Sequence, residues 1–149
     1  MSHLNCSVAQ SLEIVGEWWT LLVLRNIMLG QRRFEAIQSN LGIARNILSD
    51  RLGTLVEHDI VERVKYQDAP ERYEYRLTAR GRDLFPVIVA LMNWGDEHAA
   101  PEGPPLLFRH ECGANAAPVL VCSSCGEPIS LENVRAKAGP GFTGSAART

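Results

Sequence analysis

No apolar run in this chain is long enough to cross about 30 Å of hydrocarbon. The two richest stretches, around Trp18 to Leu29 and Leu84 to Trp94, are short and interrupted, so no membrane span is expected. The start, Met1-Ser2-His3-Leu4-Asn5-Cys6, lacks a basic segment leading into an apolar core; no secretory signal is expected, and the expected location is cytoplasmic. Cysteine is scarce. In a reducing compartment Cys6, Cys112, Cys122 and Cys125 read as thiols or metal ligands rather than structural disulfides. A basic excess is also missing: the formal net charge is −2, so contact with nucleic acid requires a local patch. The four histidines show no recognisable spacing with a nucleophile, so an enzyme is not expected.

What is present is an ordinary folding composition, 46% apolar and 21% charged, over 149 residues, which suits one main core plus an appendage. Residues 6–100 form the expected main domain. Three prolines and a glycine in Pro101-Glu102-Gly103-Pro104-Pro105 mark a linker at 101–105. Residues 106–138 read as a small cysteine-containing β appendage, and 139–149, rich in Gly, Ser and Ala, as a disordered tail.

Within the main domain the spacing predicts a helix from Val8 to Val15 capped by Ser7, and a second that continues an apolar face from Trp18 to Met28, with Trp18 and Trp19 as a buried anchor. A third, short helix follows Gln31-Arg32-Arg33-Phe34 and runs to about Ser39. Asn40-Leu41-Gly42 then turns the chain into a fourth, Ala44 to His58, whose apolar face includes Ile47, Leu48, Leu52, Leu55 and Val56. Ile60 to Tyr66 and Tyr73 to Leu77 read as two strands around Gln67-Asp68-Ala69-Pro70-Glu71-Arg72. Thr78 then caps a long helix, Ala79 to Ala99, in which Pro86 requires a kink or a late start. Its apolar side, including Leu84, Val87, Leu91 and Trp94, calls for a second subunit to cover it, giving a dimer.

A helix-turn-helix followed by a hairpin is a winged helix. Its second helix enters the major groove of double-stranded DNA by its N-terminal residues. Here those are Ala44, Arg45, Asn46, Ser49 and Asp50; Arg45 and Asn46 are the expected base readers, and Ser49 and Arg51 the expected phosphate contacts. Basic residues Arg25, Arg32, Arg33, Arg45 and Arg51 outnumber the acids Glu35 and Asp50 over this stretch, and Arg32 and Arg33 are expected DNA contacts as well. On the wing, Arg72 sits nearest the tip, opposed by Asp68 and Glu71, with Lys65 solvated. The acidic tip and the negative net charge motivate an alternative, a winged-helix module that binds protein rather than DNA.

Together these residues resemble the HxlR-type winged helix-turn-helix transcriptional regulators. The resemblance rests on Cys6, Gly16 to Trp18, Gly30 to Phe34, Arg51-Leu52, Pro70 to Tyr75 and Leu77 to Gly81, and it covers about residues 6 to 98. It implies a homodimer that binds an operator with two-fold character, with dimer contacts from the first and last helices. The chain departs from the family pattern at Ala44, where Ser is common, and near His58-Asp59, where Asp59 must take over a turn usually made by Gly. Cys6 matches a cysteine that some similar regulators use to sense oxidants or electrophiles; a packed thiol is the other reading.

The expected fold class is therefore α+β, mainly α: a winged helix-turn-helix with flanking dimerisation helices and a small C-terminal β-rich appendage. Strands are expected at Leu106 to His110 and Ala117 to Val121. His110, Cys112 and the Cys122-Ser123-Ser124-Cys125-Gly126 knuckle would make the appendage zinc-ribbon-like if they meet around a tetrahedral ion; reduced thiols or a redox pair are the alternatives.

Overall fold

The computed structural model describes residues 6–142. The chain divides after Ile88 into two compact units, each described by itself. The first carries helices α1 (Ser7–Val15), α2 (Trp18–Met28), α3 (Phe34–Leu41) and α4 (Arg45–Glu57), then strands β1 (Val61–Asp68) and β2 (Glu71–Leu77), and a single turn of helix, α5 (Ala79–Arg82). Helix α6 (Phe85–His98) spans the division.

The core of the first unit is the apolar stripe of each helix turned inward: Val23, Leu24 and Ile27 of α2, Ile37 of α3, and Leu48, Leu52 and Leu55 of α4, closed by Ile60 and Val61. Trp19 packs against this cluster, whereas Trp18 is 77% exposed. At about 100° per residue Trp18 falls opposite the buried stripe of Thr20, Val23 and Ile27, whereas Trp19 lies at the edge of that stripe. Cys6 rather than Ser7 is the N-cap of α1, and no side chain caps that end.

The helix-turn-helix is held by polar ties as well as by burial. Asn26, 1% exposed, donates through Nδ2 to Gln31 Oε1 at 3.1 Å and to Asn40 Oδ1 at 2.8 Å, while its carbonyl accepts the Gln31 amide at 3.0 Å. One side chain thus joins the end of α2, the following loop and the end of α3, and satisfies its own buried amide. Gly42 closes α3 at φ 63, the left-handed conformation that lets the chain reverse into α4. Asp59 takes the same region at φ 56 after α4, the turn required of it in place of glycine.

The wing is longer than the expected strands. β1 and β2 pair antiparallel from Val61↔Leu77 to Asp68↔Glu71, with an irregularity between Lys65 and Gln67 that leaves Tyr66 without a cross-strand partner. Only Ala69 and Pro70 remain as the connection, so most of the segment expected as a turn is sheet. The Tyr75 amide donates to the Arg32 carbonyl at 2.7 Å, tying the hairpin to the loop between α2 and α3. At its base Thr78 Oγ1 donates to the Asp59 carbonyl at 2.7 Å and accepts from the Gly81 amide at 3.0 Å, so this threonine both caps α5 and pins the end of β2 to the start of β1.

The long helix expected from Ala79 is broken. α5 ends at Arg82 and α6 begins at Phe85, which places Pro86 in the first turn of α6, where its missing amide hydrogen has no helical acceptor to lose.

In the second unit the expected appendage strands are absent among the described residues. Two isolated bridges, Arg109↔Asn115 and Val121↔Pro128, each close a tight turn. Nearly every side chain from 106 to 142 is exposed; Phe108 and Cys122 alone are half-buried. With so little burial the chain has no pleated face to build on, and the apolar run Val119 to Val121 goes no further than the single bridge at Val121 and the Ile129 amide on the Leu120 carbonyl. Of the tail expected to be disordered, residues 143–149 lie outside the described residues.

Candidate nucleic-acid interface

Helix α4 presents its N-terminus beside the wing. Ala44 is the N-cap and offers no side-chain cap, so the amides of the first turn are left for a partner. Arg45 and Asn46 are the first two helical residues, and both are exposed, as is Ser49 one turn on. Their neighbours Leu48 and Leu52 are fully buried, so packing sets which face is free.

Between that N-terminus and the hairpin lies an open cleft of about 840 Å³ lined by Arg33, Arg45, Arg63 and Arg72 together with Tyr66, Tyr73 and Tyr75. Aromatic rings hold three of the guanidinium groups: Arg33 lies 4.4 Å from the Tyr66 ring centre, Arg45 4.7 Å from Phe34, and Arg63 3.8 Å from Tyr73. Stacking fixes each guanidinium plane while leaving its edge N–H groups to donate. Arg63 and Tyr73 come from facing strands, and the irregularity beside Lys65 brings Tyr66 to the same side. Arg63 was not among the expected contacts. Its signal was present in the alternation of β1, since it pairs with Tyr75 and sits two residues from Lys65.

The acids of the wing tip are compensated. Lys65 Nζ lies 2.6 Å from Glu71 Oε1 and 3.6 Å from Asp68 Oδ1, and the Tyr73 hydroxyl donates to Glu71 Oε2 at 3.0 Å. The hydrogen bond from Lys65, followed by that from Tyr73, holds the Glu71 carboxyl below its ordinary pKa. Lys65 is thus an ion-pair partner rather than a solvated cation, and together with Arg72 it balances the two acids of the tip.

The remaining expected contacts are placed less uniformly. Arg32 opens onto a different cleft with Glu62, Arg76 and Arg82, so the Arg32-Arg33 pair splits across two faces. Arg51 is largely buried, its Nη1 3.7 Å from Glu17 Oε2, which directs it toward the start of α2 rather than outward. Cys6 is exposed at the N-terminus of α1.

In the appendage the four expected zinc ligands do not meet. Among the described residues no three His, Cys, Asp or Glu side chains gather closely enough to hold a metal ion. His110 Nδ1 already accepts the Cys112 amide at 3.2 Å. Only Cys122 and Cys125 converge: the Cys125 amide, the Ser124 amide and the Cys125 thiol all reach Cys122 Sγ and hold its pKa below the ordinary thiol value. Two sulfurs are therefore brought together here, and not the four donors of a closed tetrahedral site. Among the described residues no helix is long and apolar enough to cross a membrane.

Comparison with known proteins agrees with this architecture. Residues 14–103 match the HxlR-like helix-turn-helix family. An uncharacterized HTH-type transcriptional regulator of Mycobacterium bovis is 55% identical over 138 residues, covering 91% of this chain and 87% of the relative. The crystal structure of PA1607, named as a candidate transcription factor, superposes with a TM-score of 0.80 at 34% identity, over 92% of this chain and 97% of that one. The redox regulator HypR in its oxidized form superposes with a TM-score of 0.58 at 27% identity, over 62% of this chain and 97% of HypR. With the uncapped helix and the arginine cleft, these likenesses establish that the chain belongs to the HxlR-like helix-turn-helix family and is a DNA-binding transcriptional regulator.

Proposed function

We propose that this regulator binds a two-fold operator as a homodimer, reading bases with Arg45 and Asn46 and holding the backbone with Arg33, Ser49, Arg72 and the Ala44–Arg45 end of α4. The observation that carries the reading is the cleft in which four arginines flank the exposed start of α4. Arg45 can hold guanine, and Asn46 adenine, with two hydrogen bonds each. Phosphates running along the cleft would meet the edges of the stacked guanidinium groups. Arg51 has a structural part in this account, bracing α4 against Glu17. The dimer is supported by apolar side chains left in solvent, Val8, Leu12 and Trp18 on and beside α1 and Val87, Leu91 and Trp94 on α6. Redox responsiveness is supported by the exposed Cys6 and by the likeness to HypR.

The deciding experiment is an electrophoretic shift with the chain's own upstream region, titrated against unrelated DNA at rising salt. A sequence-selective complex whose affinity falls steeply with salt is expected. Absence of any selective shift at low salt would sink the proposal. The stoichiometry of the complex by sedimentation should be two chains per operator; one chain per site would remove the dimer.

Arg45 is restrained in the free protein by Glu35, 3.8 Å away, and both side chains are mostly exposed. An exposed pair of this kind contributes about 0 to 1 kcal/mol, less than a good base contact returns, so DNA can displace it. Glu35→Gln frees Arg45 and removes a negative charge from the cleft. Operator affinity is expected to rise roughly two- to fivefold, more at low salt than at high; unchanged or weaker binding would show that the pair helps to position Arg45.

A further inference from the structure

The second unit contains a site unrelated to DNA reading. Its second tight turn is closed by two backbone hydrogen bonds, Cys122 amide to Glu127 carbonyl at 2.9 Å and Gly126 amide to Cys122 carbonyl at 2.8 Å, with Gly126 at φ 75. Cys122 and Cys125 both belong to this turn, and the Cys125 thiol hydrogen-bonds Cys122 Sγ. Cys125 is exposed and Cys122 half-buried, and both are free thiols. No third ligand joins them among the described residues. Cys112, in the neighbouring turn, lies outside the pair.

A tetrahedral zinc site needs four donors, whereas a disulfide needs only two sulfurs held close with one open to solvent. We infer that Cys122 and Cys125 form a reversible intrachain dithiol–disulfide pair that reacts with hydrogen peroxide, separately from Cys6. The Cys122 sulfur, which receives the Cys125 S–H hydrogen bond, attacks one peroxide oxygen; the O–O bond breaks, the Cys122 sulfur becomes a sulfenic acid, and the other oxygen leaves as water after taking a thiol proton. The exposed Cys125 sulfur then attacks the Cys122 sulfur, the S–O bond breaks, and a second water leaves with the remaining thiol proton. Two thiols lose two electrons in total, and one peroxide is reduced to two waters. The rigid turn favours the second step because the resolving sulfur is already in place.

The test is thiol mapping by alkylation and mass spectrometry on the full-length chain before and after hydrogen peroxide, in wild type and in a Cys6→Ser/Cys112→Ser variant. Oxidation should remove both alkylatable thiols from the peptide that spans Cys122 and Cys125 and lower its mass by two hydrogen atoms, and dithiothreitol should restore them. The variant should behave as wild type does at this peptide. If it does not fold, the bond is read from wild type alone. Three results would overturn the inference: thiols that stay alkylatable while Cys6 is oxidised; sulfinic acid at Cys122 without a disulfide; or zinc retained by the purified chain that shields both thiols until a chelator removes it. None of these readings depends on operator binding, so failure here leaves the DNA proposal standing.

Discussion

Replacing Arg45 and Asn46 by alanine is expected to remove most of the preference for the operator while leaving unspecific DNA binding nearly intact. Each bidentate base contact contributes about 1 to 3 kcal/mol of discrimination, and roughly 1.4 kcal/mol is tenfold in affinity. Single variants should therefore lose about fivefold to 150-fold on the operator. The phosphate-facing arginines remain, so binding to scrambled DNA should change little. Helix α4 should survive, because alanine is favourable at the first helical positions and neither side chain is part of the core. Arg63→Ala provides the contrast. Stacked on Tyr73 and lining the cleft, it should weaken binding to operator and scrambled DNA alike and lower the salt slope by about 1. Quantitative gel shifts on both DNAs at several salt concentrations separate the two behaviours. If the Arg45/Asn46 variant weakens both DNAs equally, those residues are backbone contacts and base reading lies elsewhere.

Gly81→Ala, in α5 at the base of the wing, should be a strongly damaging small substitution. A Cβ at position 81 would overlap the carbonyl oxygen of Ile60, a main-chain atom that cannot swing aside and that already accepts the Thr78 amide at 3.1 Å. Relieving the clash requires the Thr78 cap and the base of the hairpin to separate. Overpacking of a tight site costs about 1 to 3 kcal/mol, and backbone against backbone belongs at the upper end. For a domain of this size each kcal/mol lowers the midpoint by about 4 to 8 °C, so a fall of more than roughly 10 °C in calorimetry is expected. Gly53→Ala is the matched control. That glycine is exposed within α4 with nothing near its Cβ position, and alanine there should stabilise by up to about 1 kcal/mol. Equal midpoints for the two variants would mean that the close approach at Gly81 is readily relieved.

The elements that were legible are those with a strong local signal. The stripe through Leu48, Leu52 and Leu55 places the recognition helix, Gly42 and Asp59 place the turns that bound it, and Thr78 places the cap after the wing. Long periodic segments with stops at both ends carry their own conformation. Short segments did not. The appendage runs around Leu107 and Leu120 have strand-like composition but find no partner strand, and composition cannot supply one. Charged side chains were the least legible of all. Arg51 turns toward Glu17, Lys65 pairs with the acids of the wing tip, and Arg32 and Arg33 part company, each because of a neighbour distant in sequence or across a strand.

By itself, then, the amino-acid sequence determined the order of the first four helices and the two wing strands, the helix-turn-helix with its wing, and the family, because these follow from periodicity and from residues that stop or cap a helix. The tertiary structure alone decided which cations share a surface. Arg33, Arg45, Arg63 and Arg72 come from the start of α3, from α4 and from both wing strands, and they converge only because the Tyr75 amide ties the wing to the Arg32 carbonyl and Asn26 ties α2 to α3. The same holds for Trp18 and Trp19, adjacent in sequence and opposite in environment. A side chain's type is local, whereas its electrostatic partners are set by how elements pack, and for this regulator that packing builds the surface proposed to meet DNA.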